Sequence, residues 1–518
     1  MSPNRRIFLN VVATYGRSLY TLGLGLFTAR WALQALGQTD FGLFGLLGGL
    51  IAFVTFLNGI LAHSVGRFYA VSIGASRKGG NEENGLLECK KWFNTALSIH
   101  TILPLVLIMI GYPLGVYVIK NFLVIPNDRI GECLLVWCFT CVSCLISMFN
   151  VPFSAMYTAK QEIAELTLFS LFTTTANALF LYYMVSHPGV WLAKYALGTC
   201  IIGAIPQFAI AIRAICQYQE CKIRLNYWYD MKKYRELITF AFARFWSDFA
   251  SLISIQGQGI LVNKFMGPVY NASMSVGNSV ATHAASLSSS LSGAFSPAIA
   301  NLCGEGRFDA MKRFCFMTSR LGAVLILVFA VPLLLEINEV LCLWLKTPPP
   351  FTVEICFVVL IRMVLDRMTD GYWMAIYSKG EQIMKYTWAI SWASISTVIV
   401  SFVCFLFGIG MWSIIIGLAS AKLLCVIIRL YYGRKILNYS TKYWSVSIFC
   451  PIMLSALVAT MFGLLVRLSF QPSVFRLLLT TATCELILLP MSWYVIFQRD
   501  ERSYVVEKIK FFVSKIYT

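Results

Sequence analysis

Charged side chains are scarce in this 518-residue chain: Asp, Glu, Lys and Arg make up 13% of it, against about 25% in soluble domains. From Phe265 to Gly304 there is none at all. With 58% hydrophobic residues and a mean hydropathy of +0.72, a water-soluble fold would have no means of covering its apolar surface. Histidine is nearly missing too. His63, His100, His187 and His283 fall in separate expected spans or loops, so metal hydrolysis and acyl transfer lack the ligand or base cluster they need. No Gly-x-x-x-x-Gly-Lys-Ser/Thr loop occurs, which argues against an intrinsic ATPase. No outward loop is long enough to form a domain, which argues against a membrane glycosyltransferase or sugar polymerase. The run after Arg5 and Arg6 continues past Phe27 with no convincing cleavage site, and it reads as a membrane helix in place of a secretory signal. The expectation is therefore a transporter, not an enzyme, with no metal.

Cysteine, by contrast, is plentiful. The sixteen Cys are dispersed inside apolar runs, as at Cys138, Cys141 and Cys144, and read as small packing residues, with structural bridges or a metal as the other reading.

A helix needs about 20 largely apolar residues to cross a bilayer. Runs of that kind lie near residues 8–29, 41–63, 96–119, 131–151, 165–185, 191–212, 240–263, 270–295, 320–341, 351–373, 386–406, 410–431, 445–467 and 474–496. The uncharged stretch from Tyr386 to Ala421 is too long for one helix, and a turn is expected at Phe407, Gly408, Ile409 and Gly410. The fold class is thus an all-α polytopic membrane protein of about fourteen transmembrane helices. Lys and Arg are retained on the cytoplasmic side. With the amino terminus inside, 29 of the 42 basic residues fall on that side, 8 on the other and 5 within spans. An even helix count with both termini cytoplasmic follows. The net charge of +18 is explained by basic patches facing an anionic leaflet, with no nucleic-acid partner.

Ionisable groups at membrane depth almost always face a bundle interior or a wet cavity. Arg17 sits in the middle of the first span, either bonded to carbonyls or facing a cavity as an anion ligand. Arg30, at the outer end of the same helix, has the same two readings, with snorkelling easier there. Arg244 and Asp248 are four apart in the seventh span and hence on one face, as an internal pair or a cavity pair open to substrate or proton. Arg362 and Asp366 repeat that spacing in the tenth, followed by Arg367 and Asp370 as gate or loop residues. Glu485 has no obvious sequence partner. The passage through Gln256, Gln258, Asn263, Asn271 and Asn278 to the serines near 290 is polar without charge. It suits tight helix packing on one face and a hydrophilic wall on another.

Gly37 and Gly267 each sit in a short outward turn between a helix with a mid-membrane Arg and a helix rich in small residues. That placement suggests a duplication of six helices, a common way to build a two-sided transporter. The expected division is a first lobe at 1–218, a basic cytoplasmic linker at 219–236, a second lobe at 237–437, two further helices at 438–498 as an appendage, and a basic tail at 499–518.

The passages "RWALQALGQTDFGLFGLLGGLIAFVTFLNGILAHSVGRF" (Arg30 to Phe68), "GQGILVNKFMGPVYNASMSVGNSV" (Gly257 to Val280) and "FSPAIANLCGEGRFD" (Phe295 to Asp309) carry a resemblance. The chain resembles the polysaccharide exporters of the multidrug, oligolipid and polysaccharide transporter (MOP) superfamily, specifically the Wzx-type flippases of lipid-linked oligosaccharides. The resemblance implies two six-helix lobes plus two carboxy-terminal helices, alternating access and a cationic central cavity. Where the family pattern has Gln before the serine-rich part of the eighth helix, this chain has Asn278. The implied cargo is an undecaprenyl-pyrophosphate-linked oligosaccharide of O-antigen or capsule type, moved across a bacterial inner membrane. Arg17, Arg30 and Arg244 are the candidates for its diphosphate or acidic sugars, and Gln256, Asn263, Asn271 and Asn278 for its hydroxyls. Asp248, Arg362, Asp366 and Asp370 are candidates for coupling or gating. H+ or Na+ is the expected ion if transport is coupled, and no cofactor is expected. Membrane lipids, a polysaccharide polymerase and a chain-length regulator are the expected partners of a monomer. A cation-coupled exporter of drugs or metabolites with the same fold, or another lipid translocator, is the competing reading.

Overall fold

A backbone in hydrocarbon must satisfy its own polar groups, and a chain this apolar does so with helices. The computed structural model describes the backbone of residues 3–79, 82–160, 162–187 and 189–503. Side chains at 3–15, 239–244, 286–294 and much of 54–84 lie outside the described set. Among the described residues the structure is 89% helix without strands, and ten segments are long and apolar enough to cross a membrane. The chain is a multi-pass membrane protein.

In order, the helices are α1 (Pro3–Gly79), α2 (Glu82–Asn121), α3 (Ile130–Ala159), α4 (Ile163–Ser186), α5 (Leu192–Gln217), α6 (Met231–Met266), α7 (Pro268–Gly304) and α8 (Phe308–Leu335). The remainder are α9 (Ile337–Leu345), α10 (Thr352–Arg367), α11 (Asp370–Lys379), α12 (Ile383–Leu406), α13 (Trp412–Leu437), α14 (Thr441–Trp444), α15 (Cys450–Ser469) and α16 (Val474–Met491). The difference from fourteen spans has local causes. The first two expected spans share α1, side chains of α6 and α7 are partly undescribed, and the run at 351–373 breaks between α10 and α11. The turn at Phe407 to Gly410 separates α12 from α13, with positive φ at Gly408 (75°) and Gly410 (66°).

Gly37 and Gly267 adopt nearly one backbone conformation, φ 75° and ψ 173° in the first, φ 90° and ψ 176° in the second. A side chain at such angles is strained, so glycine is required at both. Each makes a one-residue elbow between two long helices. The two elbows also meet: a Cβ on Gly42 would collide with the carbonyl oxygen of Pro268 and lie 3.0 Å from the Ala272 nitrogen. In lipid, helix association depends on close packing because the surroundings are as apolar as the side chains. Bare glycine therefore lets α1 reach the start of α7.

Two compact units divide the chain, Met1–Ser275 and Val276–Thr518, and the division falls within α7. In the first, α1 to α3 share a core in which Leu43, Leu47, Val136 and Met148 are fully buried around Trp137, whose indole donates to the Tyr112 carbonyl at 3.1 Å. The segment after α5 is fastened to the first half of α2. Fully buried Asn94 donates to the Lys222 carbonyl (3.2 Å) and accepts from the Arg224 backbone (2.7 Å). Thr95 donates to Tyr227 and Ser98 to Trp228, while Lys233 pairs with Glu88 at 2.8 Å. Residues 219–236, expected as a connecting linker, are thus tied down within this unit.

In the second unit α8 is the most enclosed candidate span, packed by α10, α11, α15 and α16. Buried ion pairs sit at its middle and just beyond its carboxy-terminal end. Arg320 donates to the Ser447 carbonyl (2.9 Å) and to Glu501 (2.5 Å). Beyond the carboxy-terminal end, Glu336 accepts from Arg476 (2.7 Å) and Thr480 (2.9 Å), and Arg476 also reaches Glu339 at 2.7 Å. The stretch expected as an appendage, with the residues after it, thus supplies partners to buried charges of this unit.

Candidate functional site

Two positively charged side chains two helical turns apart build the main polar cluster of the second unit. Lys422 and Arg429 are seven residues apart on α13 and so share a face. α13 packs along α10, and both side chains meet one carboxylate oxygen of Asp366, at 2.5 and 2.8 Å. Arg429 also donates to the Thr369 hydroxyl at 2.9 Å. Where α10 gives way to α11, Arg367 pairs with Asp370 at 2.5 Å and lies 3.9 Å from Asp366. The Trp373 indole donates to the other Asp370 oxygen at 3.2 Å. Arg362 adds a positive charge near Lys422.

Four cations against two carboxylates leave the cluster with an excess of two positive charges. Removing the charge of either carboxylate would strand buried cations. The excess has no acid to balance it among these residues and favours an anionic guest.

The cluster corrects one expectation. Asp366 is held by Lys422 and Arg429 across helices, not by Arg362 four residues earlier, because the packing of α13 brings two cations to its side. Asp366 and Asp370 are both engaged with cations, so neither is an open ion ligand. Lys422 and Arg429 were not among the residues singled out from sequence. Their signal was present: Lys422 follows the uncharged run from Tyr386 to Ala421, and its spacing to Arg429 matches two helical turns.

The first-unit candidates fare differently. Arg17 and Arg30 are partly buried on α1. The side chain of Arg244 lies outside the described residues, and with it the expected pair to Asp248, which is partly buried on α6. Gln256 is partly buried, its amide oxygen against Gly49, where a Cβ would collide. Asn263 is corrected. It is fully buried and commits its amide to the backbone of Val124, accepting from the nitrogen at 2.8 Å and donating to the carbonyl at 3.1 Å. That makes it a clamp on the loop after α2, with no donor or acceptor facing a sugar. Asn271 is 3% exposed, and its amide nitrogen has no acceptor among the described residues. Asn278 is exposed on α7, in the second unit. The polar passage thus divides into packing residues and an exposed one.

Among the described residues no group of three or more His, Cys, Asp or Glu could hold a metal ion. His100 is buried, His187 exposed and His283 partly buried, while the side chain of His63 lies outside the described set.

No protein-family model and no curated protein matches the chain. Solved structures do. The lipid II flippase MurJ, in an inward closed conformation, superposes with a TM-score of 0.65 at 14% identity, covering 94% of this chain and 98% of that one. An inward-facing multidrug resistance MATE family transporter of the MOP superfamily reaches 0.64 at 12% identity, covering 82% and 94%. A eukaryotic MATE transporter reaches 0.55 at 13% identity, covering 84% and 98%. The chain has the fold of these transporters.

Proposed function

We propose that the chain is a flippase that carries an undecaprenyl-pyrophosphate-linked oligosaccharide from the cytoplasmic to the periplasmic leaflet of a bacterial inner membrane. The observation that carries this reading is the charge excess of the α10–α13 cluster: Arg362, Arg367, Lys422 and Arg429 outnumber Asp366 and Asp370. A site for a cationic drug would need the opposite balance. Arg17 and Arg30 in the first unit add to the same sign, and Arg244 belongs to the set by sequence. A diphosphate and its sugars cannot cross hydrocarbon unaided, whereas a guanidinium or ammonium in a low-dielectric site holds a phosphate strongly. The fold-level likeness to a lipid II flippase over 94% of this chain supports a lipid-linked cargo.

Energy coupling is assigned to the first unit if it exists, because the carboxylates of the second are engaged with Lys and Arg. Asp248 is then the group for H+ or Na+. Consumption of cargo on the far side would drive an uncoupled carrier equally well. The fold likeness to a multidrug transporter at a TM-score of 0.64 keeps a drug exporter as the second reading.

Reconstitution into vesicles with a fluorescent undecaprenyl-pyrophosphate oligosaccharide tests the proposal. Leaflet transfer is read by an impermeant quencher. Transfer by the wild type, lost in Lys422→Gln/Arg429→Gln at equal folded protein, is expected. Absence of transfer together with resistance to cationic drugs in expressing cells overturns it.

A further inference from the structure

A cavity of about 590 Å³ opens in the second unit, lined by the first turns of α8, by Tyr443 on α14 and by the chain beyond α16. Its charged lining is balanced. Lys312, Arg313 and Arg320 stand with Asp309, Asp500 and Glu501. Arg320 and Glu501 are paired with each other at 2.5 Å, and Arg320 gives its Nε to the Ser447 carbonyl. One guanidinium nitrogen remains. Nη2 of Arg320, on a residue only 1% exposed, makes no well-aligned hydrogen bond among the described residues, and the Tyr443 hydroxyl, which also lines the cavity, is the neighbouring polar group of this guanidinium.

A buried N–H without a well-aligned acceptor is rare, and on a fixed guanidinium it is a preorganised donor for a phosphate oxygen. Arg313 lies seven residues before Arg320 and so on the same face of α8, with Lys312 beside it. Asp309 and Asp500 are exposed. They would repel a second negative charge and accept an ammonium. The cavity therefore offers cations and anions within one enclosure, and a guest carrying both signs matches it better than a simple anion.

We propose that this cavity binds a phosphate ester bearing a primary amine, the headgroup chemistry of phosphatidylethanolamine, with the phosphate on Arg320, Lys312 and Arg313 and the ammonium on Asp309 and Asp500. The site is separate from the α10–α13 cluster, and the proposal does not rest on the transport reading.

The test is native mass spectrometry of the full chain equilibrated with equal amounts of phosphatidylethanolamine, phosphatidylcholine and phosphatidylglycerol. Retention of the ethanolamine lipid about tenfold above the other two is expected, the choline lipid having the same phosphate but no ammonium N–H. Asp309→Asn/Asp500→Asn should erase the ethanolamine-over-choline preference, and Lys312→Gln/Arg313→Gln should lower retention of all three. Arg320 is left intact because its burial makes misfolding the expected result of changing it. Thermal protection by soluble phosphoethanolamine, with no preference among lipids, would assign the same site to a free ester. Equal retention of the lipids without such protection overturns the proposal. So does retention of phosphatidylglycerol above phosphatidylethanolamine, or a preference untouched in Asp309→Asn/Asp500→Asn.

Discussion

At the scale of single residues, the consequence of removing a charge depends on what it leaves behind. Asp366 answers two cations at once. Asp366→Asn leaves Lys422 and Arg429 facing each other and should cost about 3 kcal/mol or more. Lys422→Met leaves Asp366 with Arg429 and should cost about 1–2 kcal/mol. In a double-mutant cycle followed by thermal unfolding in detergent, Asp366→Asn/Lys422→Met should be more stable than Asp366→Asn alone. Simple additivity would show that the contact does not matter. Cysteine reactivity reads burial in the same way. Cys221 is fully buried in the turn after α5, and burial pushes its thiol well above the ordinary range, so little thiolate forms near neutral pH. A maleimide should label exposed Cys216 and Cys342 in the native protein and Cys221 only after unfolding, as counted by peptide mass.

At the scale of elements, the paired elbows carry the clearest prediction. Alanine at Gly37 or Gly267 must adopt a positive φ with extended ψ, a cost of about 1–3 kcal/mol. Alanine at Gly42 instead drives a methyl into the backbone of Pro268, which no rotamer change relieves. Gly42→Ala should therefore lower the melting temperature and the yield of monodisperse protein at least as much as Gly37→Ala. Gly37 and Gly267 stood out in the sequence because each sits in a short outward turn between a helix with a mid-membrane Arg and a helix rich in small residues. Their shared dihedral angles, and the contact between the elbows, depend on the backbone path and were not visible there. Asn263 shows the converse: a polar residue in an apolar helix looks the same in sequence whether it faces a lumen or clamps a loop. Asn263→Ala should free the loop at Val124, seen as faster amide exchange there.

At the scale of the whole molecule, orientation and the role of the last helices each carry a prediction. The excess of Lys and Arg on one side predicts that reporter fusions at both termini are cytoplasmic, and a periplasmic signal from either would require an odd number of crossings. Removal of residues after 438 would leave Arg320 and Glu336 buried without Glu501 and Arg476. Stranded charges of that kind typically cost several kcal/mol each. The truncated protein is expected to aggregate in size-exclusion chromatography, whereas a true appendage would leave a soluble, monodisperse remainder.

The amino-acid order was sufficient for the membrane, the all-helical class, the turn between α12 and α13 and the special glycines, because hydropathy and backbone preference act over a few residues. It also marked Asp366 and Asp370 as chemically unusual. Partnership was another matter: Lys422 and Arg429 on Asp366, Asn263 on Val124, Arg320 on Glu501. Such pairings join residues between 56 and 181 positions apart, and a side chain at that separation finds its neighbour only through the packing of whole helices.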